Sequence, residues 1–198
     1  MAVTLNSNAL ITVVELPEML QWTSPGAGLD QETSLINFAS DFIERYCGRI
    51  FNDADYTSEV YDGNGECELY LKNAPINSVS AIHNWDTYNN VSVYEYTEHT
   101  EYMIYGDEGY IYLRGGWKKG RRNFQITYNG GYETIPYDVR YACALLCGWM
   151  WSNKDKAGFK SEKMGTYSYT LGSTVMIGGL ELPAQVLSLL VNYRIIPI

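Results

Sequence analysis

The chain has little of what enzymes, metal proteins and secreted proteins rely on. Its 198 residues hold two histidines, His83 and His99, and neither stands in an H-E-x-x-H pattern or at ligand spacing from a cysteine. A zincin site and a Cys/His metal finger are excluded. The four cysteines, Cys47, Cys67, Cys143 and Cys147, form no C-x-x-C pair. Cys143 and Cys147 lie one turn apart on an apolar segment, the placement of reduced core thiols. No apolar run approaches the roughly 20 residues of a membrane span. The stretch Met1-Ala2-Val3-Thr4-Leu5-Asn6 carries no base ahead of a hydrophobic core, so it is no secretory signal and predicts a chain made and kept in a cytoplasm. No G-x-S-x-G elbow or phosphate-cradling glycine loop is present. Asp62, Asn64 and Glu66 alternate like calcium ligands, but Cys67 stands where such a loop needs glycine and Asn73 where it needs glutamate. Carboxylates are abundant, yet nothing in their spacing sets two of them facing each other at glycosidase distance. The sequence therefore predicts no catalytic residue, no cofactor and no metal.

Basic residues are scarce over the first half. Residues 1–110 hold 18 acids and 3 bases, and residues 111–198 hold 5 acids and 11 bases, so a net charge of −9 hides halves of −15 and +6. Either the surface is simply uneven, or the acidic face of one copy meets the basic face of the next, the kind of head-to-tail contact that builds rings or filaments. The densest basic stretch runs Arg114-Gly115-Gly116-Trp117-Lys118-Lys119-Gly120-Arg121-Arg122. Its cations would neutralise phosphates and Trp117 would stack a base in a nucleic-acid reading. A solvated hairpin tip or a patch meeting acidic protein fits the same residues. An acidic chain is a poor general DNA binder but suits a protein that lets DNA pass without sticking.

What is present is a normal globular composition, 46% hydrophobic and 19% charged, with two kinds of periodicity. Ile135 to Trp151 is apolar on nearly every side, starts with Pro136 and Asp138, and predicts a central helix buried on most sides. Thr12 and Glu15 have capping-box spacing for a short helix to about Trp22, with Pro17 as an alternative start. Asp30 can cap a second helix whose apolar residues Leu35, Phe38, Ala39, Phe42, Ile43, Tyr46, Cys47 and Ile50 recur at three and four, leaving Asp41, Glu44 and Arg45 outside. Leu182-Pro183 opens a last helix with Val186, Leu187, Leu190 and Tyr193 on one face.

Between Tyr56 and Tyr132 the period falls to two, and this span holds 12 of the 18 tyrosines. Seven strands are expected there: Tyr56 to Tyr61, Glu68 to Lys72, Val79 to His83, Val91 to Tyr96, Glu101 to Tyr105, Tyr110 to Leu113 and Asn123 to Tyr128. The turns at Asp62-Gly63-Asn64-Gly65, Gly106-Asp107-Glu108-Gly109 and Gly115-Gly116 predict antiparallel hairpins. The expected fold is α+β: a helical bundle core from residues 1–55 and 133–198, a β-rich domain 56–132 inserted in it, and a long hairpin arm over 154–181. Those 28 residues exceed the roughly 12 to 15 at which structureless loops become uncommon. The arm is expected to pair Thr166-Tyr167-Ser168-Tyr169-Thr170-Leu171 with Thr174-Val175-Met176-Ile177 around Gly172-Ser173. The chain closes on an apolar tail, Ile195-Ile196-Pro197-Ile198, expected to dock on a partner.

Five stretches in order carry a resemblance: Ala39-Ser40-Asp41-Phe42-Ile43-Glu44-Arg45-Tyr46-Cys47-Gly48-Arg49; Tyr61-Asp62-Gly63-Asn64-Gly65 leading to Leu69-Tyr70-Leu71-Lys72-Asn73-Ala74-Pro75-Ile76; Gly120 to Tyr128 running through Gly131-Tyr132 to Ile135-Pro136; Lys160-Ser161-Glu162-Lys163-Met164-Gly165-Thr166-Tyr167-Ser168; and Leu182-Pro183 with Tyr193-Arg194. Together they resemble the head-tail connector proteins, also called adaptor or head-completion proteins, of long-tailed double-stranded DNA phages. The likeness spans roughly Leu10 to Arg194 and departs from it at Asn84 to Tyr105, which is longer and more acidic. It implies a structural, non-enzymatic virion protein that forms a ring of about twelve subunits beneath the portal. Such a ring extends the channel for double-stranded DNA, passing without sequence specificity, and offers a platform to the next connector, stopper or tail protein. It implies assembly in a host bacterial cytoplasm and no membrane partner. Tyr193, Arg194, Ile195, Ile196 and Pro197 would then contact portal. The arm, with Lys160, Lys163, Met164, Tyr167, Tyr169 and Leu171, would face neighbours or the channel, and Arg114, Lys118, Lys119, Arg121 and Arg122 form the basic patch. The competing reading is a carbohydrate- or host-recognition module using clustered tyrosines and Trp85 or Trp117 as stacking platforms. A cell-wall glycosidase would instead need two opposed carboxylates in a cleft.

Overall fold

A computed structural model describes residues 3–21, 29–86, 91–154, 174–177 and 180–195. The chain forms two compact units, Met1–Gly48 together with Ile135–Ile198, and Arg49–Thr134. The class is α+β, with nine strands and four α-helices among the described residues. Strands outnumber helices, and the four α-helices all fall in the first unit.

In the first unit the helices are α1 (Glu15–Leu20), α2 (Leu29–Cys47), α3 (Tyr137–Asn153) and α4 (Ala184–Leu190), and α3 packs against the other three. Thr12 and Glu15 close the expected capping box: the Thr12 N–H donates to the Glu15 carboxylate at 2.7 Å, and the Glu15 N–H to Thr12 Oγ1 at 3.4 Å. The helix starts at Glu15, and Pro17 costs nothing there because first-turn amides have no intrahelical acceptor. Glu15 also pairs with Arg140 of α3. Burial raises the Glu15 carboxyl, but the bonds from Thr12 and the Arg140 charge more than offset this and hold it below the usual carboxylate range.

Helix α2 is turned from its expected orientation. Ile36, Ala39, Ser40, Ile43 and Cys47 are buried, whereas Phe38 is 44% exposed. The reason lies in the N-terminal segment, which runs along α2. Val3 N–H donates to Asp30, Asn6 N–H to Asn37, Asn8 Nδ2 to Asp41 and Glu44, and Leu10 N–H to Ser40 Oγ at 3.0 Å. Asp41 and Glu44, expected on the outer face, are half-buried against this segment. A buried Ser40 is tolerated because its hydroxyl is bonded.

Helix α3 buries Val139, Ala142, Cys143, Ala144, Leu146 and Cys147, with Pro136 as its N-cap rather than its first residue. It is not enclosed on every side: Tyr137 is 65% exposed and Leu145 half-buried. The hydrogen bond with Cys143, together with burial, pushes the Cys147 thiol well up, and no disulfide joins any of the four cysteines. Strands β8 (Thr174–Ile177) and β9 (Leu180–Pro183) pair antiparallel with Leu182 opposite Val175. One expectation changes here. Leu182 and Pro183 belong to a strand, so α4 begins at Ala184, and residues 174–177 pair with 180–183; the run 166–171, their expected partner, lies outside the described residues.

The second unit carries all seven expected strands: β1 (Ala54–Gly63), β2 (Glu68–Tyr70), β3 (Ile76–Asp86), β4 (Val91–Glu95), β5 (Tyr102–Tyr105), β6 (Tyr110–Leu113) and β7 (Gly120–Gly130). They form a four-stranded sheet, β1-β7-β3-β4, and a three-stranded sheet, β2-β6-β5, antiparallel throughout. One core, including Tyr61, Leu69, Ile82, Ile111, Trp117, Phe124 and Tyr128, draws on both sheets. Of the three predicted hairpin turns only Gly106–Gly109 joins paired strands, β5 and β6. The other two carry the chain from one sheet to the other. Gly131, at φ +110, follows β7 where an added Cβ would fall on the Asn52 carbonyl; only glycine fits that crossing.

Candidate functional site

Among the residues expected to meet a portal, Tyr193, Arg194 and Ile195 are described, while Ile196 and Pro197 lie outside the described residues. All three described residues are tied to their own unit. Tyr193, in a 3-10 turn after α4, donates its hydroxyl to both oxygens of Asp138, at 2.7 and 2.9 Å. Asp138 also accepts the Val139 N–H at 3.1 Å, at the positive end of α3. The Arg194 guanidinium lies 5.3 Å over the Tyr46 ring, which stacks on Phe42. The Ile195 N–H donates to the Cys47 carbonyl at 2.8 Å. Residues 193 to 195 are thus held against the end of α2 and the start of α3. Ile195 keeps 36% of its surface exposed.

The basic patch divides along the chain. Arg114, Lys118 and Lys119 sit between β6 and β7, and Arg121 and Arg122 at the start of β7; all five are exposed. Trp117 does not accompany them. It is fully buried, its indole N–H donates to the carbonyls of Cys67 and Ile111, and its ring meets Phe124 edge-on at 4.8 Å. It can neither stack a nucleobase nor serve as a sugar platform, which corrects both readings of it. What remains is cations on a loop anchored by a buried aromatic. Asp62 accepts the Arg122 N–H at 2.6 Å, and Asn64 accepts the Glu66 N–H at 2.9 Å, so two of the calcium-like side chains are engaged in holding the turn.

Lys160, Lys163, Met164, Tyr167, Tyr169 and Leu171 of the arm lie outside the described residues.

Sequence reasoning missed the most strongly bonded polar cluster, inside the β unit. Glu59 accepts hydrogen bonds from Tyr61 at 2.6 Å, Tyr128 at 2.8 Å and Lys72 at 2.8 Å, and Asn73 Nδ2 reaches the Tyr128 hydroxyl at 3.5 Å. Burial raises the Glu59 carboxyl, but these donors and the Lys72 charge more than offset it, and it lies below its ordinary range. Burial, with the Glu59 bond, pushes both tyrosines far up. At neutral pH the carboxylate has no proton to give and the phenols keep theirs, so the cluster ties β1 to β7 and to the β2–β3 connection. A Glu-x-Tyr alternation on one strand was its only local signal.

The sequence model of head completion proteins matches residues 9–196. No curated protein matches the chain. Among solved structures, similar chains occur in a virion of a native gene transfer agent particle (TM-score 0.54, 14% identity) and in the neck of the native particle computed with C12 symmetry (TM-score 0.54, 16% identity). A third lies in the neck of the empty particle computed with C6 symmetry (TM-score 0.51, 14% identity). Each alignment covers 100% of this chain and 96% of the other. At such identity the likeness establishes the shared fold. With nearly its whole length matched by the family's sequence pattern, the chain belongs to the head completion protein family, and it is a structural head–tail connector component of the virion.

Proposed function

We propose that the chain assembles as a ring of about twelve copies beneath the portal, where it extends the channel for double-stranded DNA and presents a platform to the next connector, stopper or tail protein. In this reading the helices of 1–55 and 133–198 form the bundle that serves as connector core, residues 56–132 form a domain inserted in it, and residues 154–181 form an arm. Lys160, Lys163, Met164, Tyr167, Tyr169 and Leu171 face neighbouring copies or the channel. The role requires no catalysis, cofactor or metal, and assembly takes place in the host bacterial cytoplasm.

The observation that supports the reading is the anchoring of Tyr193, Arg194 and Ile195. Tyr193 on Asp138, Arg194 on Tyr46 and Ile195 on Cys47 fix the position of Ile195, the last described residue. Apolar Ile196, Pro197 and Ile198 follow directly. An apolar peptide issuing from a fixed point meets a partner at lower entropic cost than one on a loose tether. Electron microscopy of the chain mixed with its portal tests this. A ring seated on portal by the full chain, and none by a chain ending at Ile195, is the expected result; equal seating by both overturns the role of the terminus.

A further inference from the structure

On the three-stranded sheet the side chains alternate strictly. Leu69, Tyr102, Ile111 and Leu113 point inward and are buried. Outward stand Glu68, Tyr70, Met103, Tyr105, Tyr110 and Tyr112, with Tyr70 56% and Met103 51% exposed. The register sets Tyr110 between Tyr70 and Tyr105, and Tyr112 between Glu68 and Met103. The open face of an antiparallel sheet is ordinarily polar. Four tyrosines and a methionine on one face have the composition of an interface.

The rings show what kind of partner fits. Tyr105 stacks on Tyr110 at 4.6 Å and 10°, and Tyr70 leans on Tyr110 at 5.3 Å and 47°. With a neighbour on each side, Tyr110 offers its edge and hydroxyl. A sugar platform needs an open ring face, whereas tyrosine edges and hydroxyls on a rigid support are what protein paratopes present. The face is also acidic: Glu68 lies on it, and Asp107 and Glu108 form the turn joining β5 to β6. Burial, then the charge of Glu68, raises the Tyr110 hydroxyl, in line with a negative potential there. A basic protein surface is the complement.

We propose that this face receives the basic loop of a second copy of the chain, Lys118, Lys119 and Arg121 meeting Glu68, Glu108 and the tyrosine hydroxyls. The acidic turn and the basic loop lie at opposite ends of β6: Tyr110 adjoins the turn, and Leu113 leads into Arg114 and the lysines. Two different patches on one unit, complementary between copies, make a heterologous contact, which closes into a ring when the rotation permits. The inference rests on the ring reading above and adds which surfaces meet. Because charge steers it, association weakens as salt rises.

The test is a charge swap followed by sedimentation at low salt. One variant carries Glu68→Lys and Glu108→Lys; the other carries Lys118→Glu, Lys119→Glu and Arg121→Glu. All five positions are exposed, so both variants keep the wild-type melting temperature. Each alone self-associates about tenfold more weakly or worse, since like charges face each other. Their equimolar mixture recovers association, because reversed loop then meets reversed face and native loop meets native face. Single variants that still associate like wild type overturn the inference and leave the ring reading standing. A wild-type chain that stays monomeric while a neutral oligosaccharide binds it, and binds no longer after Tyr70→Ala and Tyr105→Ala, overturns it in favour of a glycan face. A monomeric wild type that binds no sugar overturns it too, and the ring then depends on portal.

Discussion

The backbone N–H of Ile195 donates to the carbonyl of Cys47 at 2.8 Å, so the last described residue of the chain satisfies a group left open at the end of α2. Helix α2 ends at Cys47, Gly48 follows at φ +71, and the Gly48 N–H returns to Glu44. The Cys47 carbonyl, among the last four of the helix, has no partner further along it. Ile195 supplies one from the other end of the sequence.

Removing Ile195 to Ile198 therefore has two effects where the sequence alone suggested one. A chain ending at Arg194 loses portal binding and about 1 kcal/mol of stability, the usual worth of one such bond. A chain ending at Ile195 loses portal binding alone. Paired thermal melts and portal pull-downs on the two truncations separate the contributions.

Leu146→Ala lowers stability by roughly 2 to 5 kcal/mol, because Leu146 is fully buried and the truncation leaves a cavity. Leu145→Ala, at a half-buried position, costs clearly less. Urea unfolding of both gives the comparison, and equal losses would contradict the packing of α3.

Acid weakens the β unit through Glu59. Its folded pKa lies below the ordinary value, so between the two values the unfolded chain binds more protons. The stabilisation is complete above about pH 4.3 and fades as pH falls through the folded pKa. Glu59→Gln removes this part of the acid limb, with a lower plateau at neutral pH. Tyr61 and Tyr128 act in the opposite sense. Their raised folded values give stability that is complete below about pH 10 and lost as pH rises beyond it. Stability measured against pH, with Tyr61→Phe flattening the alkaline limb, checks both signs.

Trp117→Ala destabilises the chain by about 3 to 5 kcal/mol and leaves DNA binding unaltered at sub-denaturing temperatures, since the ring is buried. Lys118→Glu with Lys119→Glu does the reverse, sparing stability and changing only the salt-dependent contacts of the loop. Melting curves and binding titrations at two salt concentrations distinguish the residues. Weakened DNA binding in a folded Trp117→Phe chain would return the indole to the surface.

Much of this was legible locally. The period of two across Tyr56 to Tyr132 marked all seven strands, and the Thr12–Glu15 spacing marked the start of α1. Gly106 to Gly109 marked the hairpin of β5 and β6, whose strands are adjacent in both sequence and sheet. These are properties of neighbouring residues: backbone preference, alternation of burial, and the reach of a short side chain to a nearby amide. The apolar terminus was equally visible, but not its anchors on Asp138, Tyr46 and Cys47, since they are distant in sequence. The tyrosines were countable, but their gathering on one outward face needed the register of β2, β6 and β5.

Tertiary structure decided everything that depends on which surface meets which. The turns after β1 and β6 read as hairpins, yet β1 pairs with β7 and β2 with β6, because two sheets sharing one core bury more apolar area than local ribbons. Phe38 fitted the apolar period of α2 better than Ser40, yet Ser40 is buried and Phe38 exposed, because the segment through Asn8 and Leu10 claims that side of the helix and bonds the hydroxyl. Trp117 stood in a basic glycine-rich loop and is nevertheless core. A residue's own chemistry and its neighbours in sequence set the element it joins. The face it shows is set by long-range packing, whose free energy comes from apolar area removed from water across the whole unit.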